Sequence, residues 1–111
     1  MTKANEGLIK FYSIPCTYTA TIDPCDYNPA DDGLPVRDNA TAYLAMVYTD
    51  KSGVLYAVTD DGNSIMLVGF GSDVGPTHRQ MVFVSKRSDN SIRVYCSNIA
   101  NMSIEIIGDV L

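Results

Sequence analysis

Short apolar segments recur along this chain at intervals of about 8–12 residues, and turn-forming loops separate them. In residues 17–22, threonines alternate with apolar side chains, which is typical of a strand with one buried face. Asp61-Gly62, between two such segments, is among the strongest short signals for a hairpin turn. This spacing predicts an antiparallel all-β fold.

The pattern predicts eight strands, at residues 8–14, 17–22, 42–48, 54–59, 65–70, 81–85, 92–97 and 102–107. Because the loops at 49–53, 60–64 and 86–91 are of the hairpin type, we expect an antiparallel meander of about seven to eight short strands, forming a barrel or a sandwich. Residues 39–48 allow an alternative, since Asp38 or Asn39 could cap a helix there. The fold would then be α+β, with one helix packed on the sheet.

Composition supports strands joined by turns in a single domain. Eleven of the 13 acidic residues are Asp, which favours turns, whereas helix surfaces normally carry Glu and Lys. The chain of 111 residues is long enough to bury one hydrophobic core. We therefore expect one β-rich domain over residues 1–111.

Several features bear on the location of the protein. The longest apolar run, residues 42–48, is far shorter than the ~20 residues that cross a bilayer, so no membrane association is expected. The first residues lack the apolar segment of a secretory signal, and an odd number of cysteines leaves at least one thiol unpaired. These features favour a cytoplasmic protein.

Residue types that carry catalysis or hold metals are sparse. His78 is the only histidine, and the closest two cysteines have eight residues between them, whereas structural zinc sites use close Cys pairs. Asp31-Asp32 and Asp60-Asp61 adjoin glycine in turn sequences, where water keeps both carboxylates ionised. We therefore expect no metal, no cofactor and no catalytic residue. A small enzyme that uses Cys96 or His78 is the third hypothesis for function.

The segments at 42–48, 54–59, 65–70 and 81–85 are apolar on both faces. A sheet with one face in water should instead alternate apolar and polar residues. Either a helix or the loop at 23–39 covers the second face, or that face is an interface with a partner. Tyr43, Tyr48 and Tyr56 are the candidate contacts, because aromatic residues are enriched in interfaces, and a homodimer is the simplest assembly.

Charge is distributed unevenly along the chain. Residues 23–38 carry a net charge of −4 and residues 77–93 a net charge of +3. The acidic loop is a candidate contact for a basic partner surface, through Asp23, Asp26, Asp31 and Asp32. The alternative is that the acidic and basic segments attract each other within one molecule. Few aromatic residues lie near the basic segment, so no nucleic-acid binding is expected.

These observations predict a small, acidic, non-enzymatic protein-binding module, such as an inhibitor or accessory protein. We expect it to form homo-oligomers, to bind another protein, or both, through an apolar and aromatic sheet face and the acidic loop. The alternative is a β-barrel that binds a small ligand in its mouth. In that case His78, Arg79 and Gln80, which follow a glycine-rich loop, would orient the ligand.

Overall fold

In a computed structural model, the chain forms two antiparallel β-sheets of four strands each, which confirms the predicted all-β class. The structure describes residues 7–49, 51–71, 79–97 and 101–111. Its strands are β1 (Ile9–Ala20), β2 (Cys25–Tyr27), β3 (Ala42–Tyr48), β4 (Gly53–Val58), β5 (Ser64–Phe70), β6 (Arg79–Ser85), β7 (Ile92–Cys96) and β8 (Met102–Val110). Residues 42–48 are a strand, and the described residues contain no helix, so the α+β alternative is wrong.

The strand order is β1-β8-β3-β6 in the first sheet and β2-β7-β4-β5 in the second. Among the eight described strands, β4 and β5 are the one consecutive pair that forms a hairpin, and its turn uses Gly62 at φ +86°. Residues 49–53 and 86–91 instead link strands of different sheets, so the expected meander is not observed. Eight strands in this order form a jelly-roll sandwich, whose Greek-key connections cross between sheets.

Two strand assignments differ from the prediction in the first third of the chain. β1 is one strand where two were predicted, and Pro15 lies within it. The pairing of β1 with β8 shifts register between Phe11 and Cys16, which accommodates a residue that has no N–H for the ladder. β2 was not predicted, because three residues among prolines and aspartates are too short to show a pattern.

The core lies between the two sheets and is built from alternate positions of the central strands. Its main side chains are Tyr43, Ala45 and Val47 of β3, Leu55 and Ala57 of β4, Ile92, Val94 and Cys96 of β7, and Met102, Ile104 and Ile106 of β8. The other alternate positions of these strands point away from the core and form an outer face on each sheet. The outer faces decide what the protein presents to other molecules.

Candidate protein-binding surface

An apolar row runs across the outer face of the first sheet. Strand register places Phe11 beside Gly108, Gly108 beside Leu44, and Leu44 beside Phe83. The side chain of Leu44 is only 1% exposed although it lies on the outer face, whereas Phe11 is 64% and Phe83 57% exposed. The row therefore ends in an exposed aromatic side chain at each edge of the sheet.

The neighbouring rows change gradually from apolar to polar. In the next row, Met81 of β6 lies beside Met46 of β3, which lies beside Glu105 of β8. In the row after that, Arg79 lies beside Tyr48, and its guanidinium carbon is 4.4 Å from the centre of the tyrosine ring. The apolar surface is thus concentrated around Phe83 and Met81.

Large exposed hydrophobic side chains are confined to particular strands. In the described part of the chain they are Leu8, Ile9, Phe11, Ile14 and Ile22 on or beside β1, Ile65 and Met66 on β5, and Met81 and Phe83 on β6. All three strands are sheet edges, and β5 adjoins β6 on one side of the sandwich. Four of these exposed hydrophobic residues therefore lie on two adjacent edges of the sandwich, β5 and β6.

The three tyrosines predicted to share one aromatic face lie in three different places. Tyr43 is fully buried in the core, where its hydroxyl donates to the carbonyl oxygen of Asn90 at 2.5 Å and burial raises its pKa. It is therefore a core residue and not a surface contact. Tyr48 is half-buried on the outer face of the first sheet, and Tyr56 is half-buried on the second sheet.

Tyr56 belongs to a polar-aromatic cluster on the second sheet. Its ring stacks on Tyr95 of β7, with ring centres 5.0 Å apart and an angle of 16° between the planes. The hydroxyl of Tyr95 donates to Oγ of Ser64 at 2.9 Å. Tyr56 is thus engaged within the molecule and is separated from the Phe83 row by the thickness of the sandwich.

The acidic loop is partly neutralised within the same molecule. Asp26 accepts two hydrogen bonds from Arg93, at 2.5 and 2.9 Å, which lower the pKa of its carboxyl. Asp32 accepts a 2.5 Å hydrogen bond from the hydroxyl of Tyr18. Asp23 and Asp31 are exposed. The Asp26–Arg93 pair therefore shows the attraction between acidic and basic segments that the sequence left as an alternative.

The alternative ligand site falls only partly within the described residues. Arg79 and Gln80 lie at the exposed start of β6, and His78 lies outside the described residues. A surface pocket of about 230 Å³ occurs instead beside β1, where Cys16 and Ile14 face Asp32 and Leu34. Since β1 and β6 are opposite edges of the first sheet, this pocket is distant from Arg79.

The described residues contain no cluster of three or more His, Cys, Asp or Glu side chains able to hold a metal ion. The three cysteines form no disulfide, and burial raises the pKa of both the Cys16 and Cys96 thiols. A raised pKa reduces the thiolate fraction on which nucleophilic attack depends. Cys96 moreover lies in the core.

In the part of the chain that the structure describes, no helix could span a membrane. Comparison with protein-family models gives no match, and neither does comparison with curated protein sequences.

The sequence pattern did not single out Phe11, Met81 or Phe83, which are exposed on the first sheet, as candidate contacts. Phe83 and Met81 belong to a segment that was recognised as apolar on both faces, but the pattern did not show which face stays exposed. That distinction depends on which strands form the edges of the sheets, and edge position follows from topology and not from local sequence.

Proposed function

We propose that the protein is a small, non-enzymatic protein-binding module that associates with a second copy of itself through the first sheet. The observation that supports this proposal is the exposed apolar surface around Phe83 and Met81, which continues to the half-buried Met46. Burying one phenylalanine side chain contributes about 1.5–3 kcal/mol, so a two-fold interface that buries Phe83 twice gains appreciable free energy.

The charge of the surface is compatible with self-association. In the described strands, register places one acidic residue, Glu105, and one basic residue, Arg79, on the outer face of the first sheet. The net charge of −5 for the whole chain therefore does not originate on this face. Two copies can approach through it without strong electrostatic repulsion.

The acidic loop has a separate role in this proposal. Asp23 and Asp31 are exposed, so their carboxylates would attract a partner protein with a basic surface. Complementary charge at the rim of an interface affects mainly the rate and selectivity of association. The apolar surface provides the binding energy.

Sedimentation velocity over a wide concentration series tests self-association. The wild-type protein should sediment above the monomer mass, and Phe83→Lys should weaken association roughly 10²- to 10⁴-fold, because two buried phenylalanines are lost. Ile22→Lys is the matched control, since Ile22 is 53% exposed, close to the 57% of Phe83, but lies beyond the end of β1. A wild-type protein that stays monomeric throughout the series would overturn the proposal.

A further inference from the structure

The four edge strands of the sandwich are protected to different degrees. β2 is only three residues long, β1 carries Pro15 and a register shift, and the pairing of β5 with β4 is interrupted by a register shift between Leu55 and Tyr56. The free side of β1 is also occupied at Thr19, whose carbonyl oxygen accepts a hydrogen bond from the hydroxyl of Tyr27. Short strands, prolines and irregularities are the usual means by which proteins prevent edge-to-edge pairing.

β6 has none of these protections. All seven of its residues pair with β3 in uninterrupted register, from Arg79 opposite Tyr48 to Ser85 opposite Ala42. The strand contains no proline, and its one charged residue is at its first position. Within the described part of the chain, its free edge therefore offers unpaired backbone N–H and C=O groups along a regular strand, beside exposed Met81 and Phe83.

We propose that β6 pairs with β6 of a second copy in antiparallel orientation, about a two-fold axis at Val82. The first sheets of the two copies, each of four strands, then form one continuous sheet of eight strands. This inference rests on the proposed function and specifies both the partner, a second copy of the chain, and the strand that makes the contact.

The sequence of β6 is complementary to itself in this register. Val82 lies opposite its own copy on the inner face, and Met81 lies opposite Phe83 on the outer face, twice by symmetry. Methionine sulfur makes favourable contacts with aromatic rings, and directly opposed side chains are the main stabilising pairs of a sheet. Arg79 lies opposite Ser85, so the charged residue of β6 does not face its own copy.

The adjacent strand β5 strengthens the argument. Antiparallel pairing requires a two-fold axis perpendicular to the sheet, which places the second sheets of both copies on the same side. Because β5 adjoins β6, Ile65 and Met66 of one copy then lie near the same residues of the second copy. The four exposed hydrophobic residues of β5 and β6 thus lie in or beside one interface between the two copies.

Phe11 provides the control that distinguishes edge pairing from packing of two whole faces. It lies in the same row as Phe83 and is similarly exposed, but at the opposite edge of the sheet. In sedimentation experiments, Phe83→Lys should yield a monomer, whereas Phe11→Lys should associate as the wild type does. Far-ultraviolet circular dichroism of both variants checks that each is folded.

A cross-linking experiment tests the register directly. When Met81→Cys and Phe83→Cys variants are mixed and oxidised, peptide mass spectrometry should find a disulfide between positions 81 and 83 of different copies. Directly opposed residues have Cβ atoms about 4.5–5.5 Å apart, whereas position 81 meets its own copy only diagonally, so either variant alone should cross-link less.

The outcomes separate this inference from the proposed function. A monomeric wild type overturns both. If the wild type associates but Phe11→Lys disrupts it as strongly as Phe83→Lys, or if no disulfide forms between positions 81 and 83, edge pairing is wrong while self-association stands. Loss of association in Phe83→Lys alone, together with that disulfide, supports the paired β6 strands.

Discussion

The guanidinium of Arg37 binds the carboxylate of Asp109 inside the protein, with Nε 2.6 Å from Oδ1 and the Asp109 side chain completely buried. The other carboxylate oxygen accepts from the hydroxyl of Tyr12 at 2.7 Å and from the backbone N–H of Arg37 at 3.1 Å. Arg37 also donates to the carbonyl oxygens of Gly7 and Leu8. One ion pair therefore connects the loop before β3, the start of β1 and the end of β8.

Replacing Asp109 with Asn should lower the free energy of unfolding by about 3–5 kcal/mol, because it leaves Arg37 largely buried without its counter-charge. Arg93 and Asp26 form the matched surface pair, with side chains 39% and 49% exposed. Asp26→Asn should cost less than about 1 kcal/mol. Urea unfolding measures both changes, and equal losses for the two variants would contradict the distinction between a buried and a solvated pair.

The part of the fold that local pattern determines was predictable, and the part set by distant pairing was not. Alternation and turn residues located most strands, including the hairpin around Gly62. A turn sequence shows only that the chain reverses, so the loop at 86–91 looks the same whether it makes a hairpin or crosses between sheets. The buried position of Asp109 was not predicted, because Gly followed by Asp is typical of a turn. In the structure both Gly108 and Asp109 belong to β8.

Gly108→Ala should destabilise the protein by about 1–3 kcal/mol, the usual cost of overpacking. A Cβ at position 108 would lie 2.4 Å from the backbone oxygen of Lys10, so β1 and β8 would have to separate. At Gly69 the nearest atom would be a Val54 methyl carbon at 3.7 Å, an ordinary contact. Gly69→Ala should therefore leave the thermal midpoint almost unchanged, and a comparable fall in both variants would refute the steric explanation.

The exposed apolar surface was harder to predict than the strands for a related reason. Residues 42–48 are apolar at both odd and even positions, so alternation does not indicate whether Tyr43 or Leu44 faces the core. In the sandwich Tyr43 faces inward, and Leu44 is covered on the outer face. Phe83 stays exposed because β6 has a neighbour on one side only. Such differences arise from sheet order, which one sequence does not reveal.

Stability should fall above pH 10. Burial and the hydrogen bond to Asp109 raise the pKa of Tyr12 above its ordinary value of 10.0, and burial also raises the pKa of Tyr43. The folded protein therefore favours the protonated phenols. Their contribution to the free energy of unfolding is complete below pH 10 and is lost at higher pH, where the tyrosines of the unfolded chain ionise. Tyrosinate absorbance at 295 nm should show these two side chains ionising only when the protein unfolds.

Tyr12→Phe provides the control for the alkaline transition. It removes one titrating phenol, so the free energy of unfolding should decline less steeply with rising pH than in the wild type. The variant should also be somewhat less stable at neutral pH, because Asp109 loses one of its hydrogen bonds. A pH slope identical to that of the wild type would show that Tyr12 does not contribute to the transition.

Cys96 should react with thiol reagents only when the sandwich opens. It is fully buried between the sheets, and burial raises the pKa of its thiol, whereas Cys16 and Cys25 are half-buried near the edge of the fold. Pulse alkylation followed by mass spectrometry should therefore modify Cys25 rapidly and Cys96 at the rate of global unfolding. Asp109→Asn should accelerate labelling of Cys96 and leave that of Cys25 unchanged. Labelling of both thiols at one rate would instead indicate that β7 separates from β1 by local opening, without loss of the Arg37–Asp109 connection.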